Sequence, residues 1–88
     1  MIDASRVISG MFLRVHGRAT GVPMSRTPGQ LEYDVNPIIG MVANDELVLV
    51  INIARIEQID GIFRDEVLGL SSTGLLGWAY LNLFEAAP

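Results

Sequence analysis

Hydrophobic and polar positions alternate from Met11 to Arg18. Met11, Leu13 and Val15 fall on one face of an extended chain, and Phe12, Arg14, His16 and Arg18 on the other. This predicts a half-buried strand. Ile38 to Val42 predicts a short second strand. Glu46 to Ile56, ELVLVINIARI, is rich in β-branched residues and apolar on both faces, which predicts a central or strongly bent strand. Glu66 to Leu70 and Leu75 to Ala79 read as two more strands. The stretch YLNLFEAA reads as one short helical turn and a last extended segment. No window of a dozen residues carries a 3.6-residue period.

Turn residues separate these runs. Ala43-Asn44-Asp45-Glu46 is a turn, Asp60-Gly61 a hairpin dipeptide, and Ser71-Ser72-Thr73-Gly74 a further turn. Residues 19–37 hold three Pro and two Gly and read as a long excursion, with LEYDV as a short strand inside it. Its first part, GVPMSRTPGQ, has the composition of an exposed arm that orders on a partner. The pattern as a whole predicts one all-β domain of short strands, a sandwich or a small barrel.

The C-terminal half, DEVLGLSSTGLLGWAYLNLFEA, resembles the end of a Src-homology-3 domain. Asp65, Leu68, Gly69, the Ser-Thr-Gly turn, Gly77, Trp78 and Asn82 fall in step with that family, with Ala79 at its β-branched position and Phe84 at its final apolar one. The resemblance implies a five- to six-stranded barrel. MFLRV would be its first strand, 17–45 an enlarged first loop, and ELVLVINI the strand before DEVLGL. It argues against the family's proline-rich peptide ligand. Glu66 stands where the groove Trp is expected, Tyr80 at the Pro position and Leu83 at the Tyr position. VHGRA replaces the aromatic-acid-aromatic pattern after the first strand.

Composition narrows the chemistry. The chain has 88 residues, 50% hydrophobic and 18% charged, enough for one small core. With no Cys and one His, disulfides, thiolate sites and multi-His metal sites are excluded within one chain. No nucleophile motif accompanies His16, and no Asp-x-Asp-x-Asp-Gly loop is present. We therefore expect no enzyme activity, cofactor or metal. Net charge is −4, but residues 1–30 carry four Arg and a single Asp. Val67 to Phe84 is 18 residues without a charge, near the lower limit for a membrane span. Its polar turn and acidic flanks favour two buried strands instead. The start, MIDASRVISG, lacks the pattern of a secretion signal, so the expected location is the cytoplasm or a virus particle.

Two surfaces are candidates. Trp78 and Tyr80 share a strand face by spacing, and with Leu83 and Phe84 they form a partner-binding apolar surface. The expected role is a non-enzymatic contact module that binds other protein subunits or its own copies. One concrete form is a small subunit of a phage particle. The alternative is an anion- or nucleic-acid-binding module using Arg14, His16, Arg18 and Arg26. The acid pairs Asp45-Glu46 and Asp65-Glu66 read as solvated turn residues, because adjacent strand residues point to opposite faces.

Overall fold

The computed structural model describes residues 2–17, 20–29, 31 and 38–88. After a 3-10 turn at Ala4–Arg6 come β1 (Phe12–Val15), β2 (Val22–Ser25), β3 (Ile38–Val42), β4 (Leu47–Glu57), β5 (Phe63–Ser71) and β6 (Leu76–Tyr80). A second 3-10 turn (Leu81–Leu83) leads into β7 (Phe84–Ala86). The strands form one sheet in the order β3-β2-β6-β5-β4-β1-β7, and every pairing is antiparallel.

Val42 of β3 and Phe84 of β7 stand at opposite ends of that order, yet both belong to one buried cluster with Leu13, Met24, Val48 and Val67. The sheet is therefore curled about its own inner face, a half-barrel. In β1 the alternation places Leu13 and Val15 inside and Phe12 and Arg14 outside, as the period-two pattern requires. In β4 the pairing with β5 shifts between Val50 and Asn52, which makes Ile51 an inserted residue. Such a bulge bends a strand and exchanges its faces. The inward positions are therefore even-numbered before it, at Val48 and Val50, and odd-numbered after it, where Ile53 packs against the core.

The hairpin at Asp60-Gly61 forms as expected. The Gln58 N–H donates to Ile62 O and the Gly61 N–H to Gln58 O, both at 2.9 Å, with Gly61 at φ +80°. Val67 to Phe84 folds as the end of β5, a turn, β6 and the second 3-10 turn. Among the described residues no helix is long and apolar enough to cross a membrane.

Residues 19–37 are not one uninterrupted excursion, because a strand lies within them. VPMS is not part of an exposed arm but strand β2, with Val22, Met24 and Ser25 buried. Two hydrophobic residues at i and i+2 suffice for a buried strand, and Pro23 between them conceals the pattern. The proline is tolerated because β2 meets β6 in register only at Ser25↔Trp78, so no full ladder is required on both sides. With β2 the described residues form seven strands, against the five or six expected. Of the expected strand LEYDV, all but Leu31 lies outside the described residues.

Candidate protein-contact surface

The sheet register brings together four apolar side chains from four strands. Phe12 of β1 pairs with Leu49 of β4, Leu49 with Leu70 of β5, and Leu70 with Leu76 of β6. Directly paired residues share a face. Their strand neighbours Leu13, Val48 and Gly77 are buried, so this row faces outward. Phe12 is 50% exposed, Leu70 37% and Leu76 52%. Leu47, which pairs with Arg14, and Ile51 are exposed too.

The opposite end of the outer face is covered. Glu66 pairs with Ala54 and Tyr80 and shares the face of Leu68 and Leu70, yet it has no solvent exposure. The segment after β2 returns over it, and the Gly29 N–H donates to both carboxylate oxygens at 3.3 Å. A Cβ on Gly29 would sit 3.2 Å from Ile56 Cγ2, so this segment lies tightly on the sheet. Glu66 is thus not a solvated turn residue. Its neighbour Asp65 is half-buried, and Asp45 is exposed.

Glu46 has a different task. Its Oε2 accepts the Ala43 N–H at 2.6 Å and its Oε1 accepts the Thr73 hydroxyl at 2.7 Å. The carboxylate ties the β3–β4 turn to the β5–β6 turn. These donors, the Ala43 amide first, hold its pKa below the usual glutamate range.

The residues expected to form a partner surface divide. Trp78 is half-buried on the outer face, in register with Leu68 and Ser25. Tyr80 is half-buried, with its hydroxyl 3.5 Å from Gln58 Oε1. It lines a cleft of about 190 Å³ with Ile2, Phe63, Arg64, Asp65 and Asn82. Leu83 packs against the edge of the core. Phe84 is fully buried and belongs to the inner core, so it is no part of any contact surface. The 3-10 turn at Leu81–Leu83 breaks the strand alternation that would have carried it outward.

Of the expected basic residues, those described are carried by different elements. Arg14 lies opposite Glu85 in the β1–β7 register and pairs with it at 3.4 Å, Nε to Oε1. His16 is exposed beyond the end of β1. Arg26 is exposed past the end of β2, with β6, β5 and β4 lying between β2 and β1 in the sheet. Arg18 lies outside the described residues. Among the described residues no three His, Asp or Glu side chains converge as a metal site would require.

The apolar row escapes sequence reasoning for a definable reason. Period two assigns Phe12 to the outer face of its own strand, but pairing register decides that it meets Leu49, Leu70 and Leu76. No protein-family model matches the chain, and no curated protein or solved structure matches it either.

Proposed function

We propose that the chain is a non-enzymatic, Src-homology-3-like contact module that serves as a small subunit of a larger assembly, such as a phage particle. The observation that carries this reading is the row Phe12–Leu49–Leu70–Leu76, in which Phe12, Leu70 and Leu76 are exposed and Leu49 is half-buried. An exposed apolar ridge across four strands costs solubility unless a partner removes it from water. The order of elements supports the barrel kinship. β1 is the first strand, the β2–β3 hairpin occupies the enlarged first loop, and β4, β5 and β6 form a meander. A 3-10 turn then precedes the last strand. The buried Glu66 at the groove Trp position supports a departure from proline-rich ligands.

The test is hydroxyl-radical footprinting of the chain alone and within the assembly purified from cells that produce it. Protection of Phe12, Leu70 and Leu76, with Ile59 at the hairpin tip still labelled, is the expected outcome. Labelling of the row within the assembly as strong as that of Ile59, each relative to its free amino acid, would overturn the proposal.

A further inference from the structure

We infer that the partner on this outer face is a second copy of the same chain, packed sheet on sheet about a two-fold axis. The inference rests on the contact-surface reading above and names its occupant. Three observations point to self-pairing.

The first is area. The exposed fractions of Phe12, Leu47, Ile51, Leu70 and Leu76 amount to roughly 500 Å² of apolar surface on one face, at the upper end of what a monomer displays. A homodimer interface is about 65% apolar. An apolar contribution of this size therefore implies a contact of about 800 Å² per copy, the standard size for a stable complex.

The second is charge. The row contains no ionisable side chain. The groups on its flanks are already engaged within the chain, Arg14 by Glu85 at 3.4 Å and Glu46 by Ala43 and Thr73. Nothing there selects an oppositely charged partner. The net charge of −4 per copy sets only a long-range repulsion, which salt screens beyond about 8 Å.

The third is shape. The row lies on the convex side of the curled sheet, where Leu49 and Leu70 at its centre stand foremost and Phe12 and Leu76 flank them. A two-fold axis running along the strands between β4 and β5 sets Leu49 of each copy against Leu70 of the other. Such an isologous contact closes at two copies.

The experiment is sedimentation equilibrium of the full chain from micromolar to millimolar concentration, at low and high salt. The expected mass is twice 9.6 kDa, with pairing unchanged or tightened by salt. Leu70→Asp places a charge at the centre of the contact once from each copy. It should weaken pairing at least about 30-fold, as loss of a central hot spot does, with an unaltered far-ultraviolet circular dichroism spectrum. Ile59→Asp, at a hairpin tip that is 73% exposed, should leave the dimer intact.

A wild-type monomer at millimolar concentration would overturn self-pairing. If Leu70→Asp then abolishes the binding of a hydrophobic dye, the face remains a contact surface for another protein. If it changes nothing, the contact-surface reading fails as well. A dimer broken by Ile59→Asp but not by Leu70→Asp would overturn the inference by placing the contact at the hairpin tip.

Discussion

The Gly29 N–H donates to both carboxylate oxygens of Glu66, at 3.3 Å each, and that carboxylate is sealed from solvent. The pair joins the segment after β2 to the centre of β5. A buried carboxylate persists only when its hydrogen bonds offset its lost hydration. Glu66→Ala leaves the Gly29 amide without this acceptor and should destabilise the fold by about 1–3 kcal/mol. Glu66→Gln retains a carbonyl acceptor and should cost less. Urea unfolding of the two variants checks the order, and hydrogen exchange at the Gly29 amide checks the cause.

Phe84 lies at zero exposure on β7 and closes the core beneath β1. Phe84→Ala should cost about 3–5 kcal/mol, the range for a large aromatic lost from a packed core. For a domain of this size that is a large part of its total stability. The thermal midpoint should fall steeply. Leu76→Ala on the outer face should change it far less, which separates a core position from a contact position on neighbouring elements.

Gly77 permits the β2–β3 hairpin to close on β6. A Cβ there would lie 2.9 Å from the Ser25 carbonyl oxygen and 3.0 Å from Met24 Cβ. Neither atom is the end of a flexible side chain, so the hairpin would have to move. Gly77→Ala should cost about 1–3 kcal/mol as overpacking. Amide chemical-shift changes should concentrate in β2 and β3 rather than in β4 and β5.

Glu46 confers a pH dependence whose sign follows from its contacts. Its folded pKa is lowered by the Ala43 amide and the Thr73 hydroxyl. The corresponding stability is therefore complete above the unfolded-state glutamate pKa and is lost as pH falls through the lower folded value. Thr73→Val should raise the Glu46 pKa, seen by carboxyl NMR titration. The urea midpoints of Thr73→Val and the wild type should differ at neutral pH and converge in acid.

Arg14 and Glu85 form a partly exposed cross-strand pair, with side chains 50% and 36% exposed. A double-mutant cycle to Ala should give a coupling of about 0.2–1 kcal/mol that shrinks as salt is added. A larger, salt-resistant coupling would show that the pair anchors the β1–β7 edge.

The local pattern of residues settled much of this protein. Alternation in MFLRV placed Leu13 and Val15 inward. Asp60-Gly61 marked the β4–β5 hairpin, and Ser-Ser-Thr-Gly the turn before β6. The two-sided apolar run of ELVLVINIARI pointed to a central or strongly bent strand, without placing the bulge at Ile51. Each of these depends on residues within a few positions of one another, because strand parity and turn chemistry are local properties. The tertiary structure alone decided the rest. β2 was concealed because Pro23 reads as a loop residue until β3 and β6 are present to flank it. Glu66 reads as a solvated acid until Gly29, 37 positions away, arrives to cover it. Phe84 is carried inward by the 3-10 turn before it, and Phe12 joins Leu49, Leu70 and Leu76 through register across four strands. Chain periodicity tells each side chain which face of its own strand it occupies. Only the pairing of distant strands, and the path of the segment lying over them, determines which of those faces is buried and which meets water.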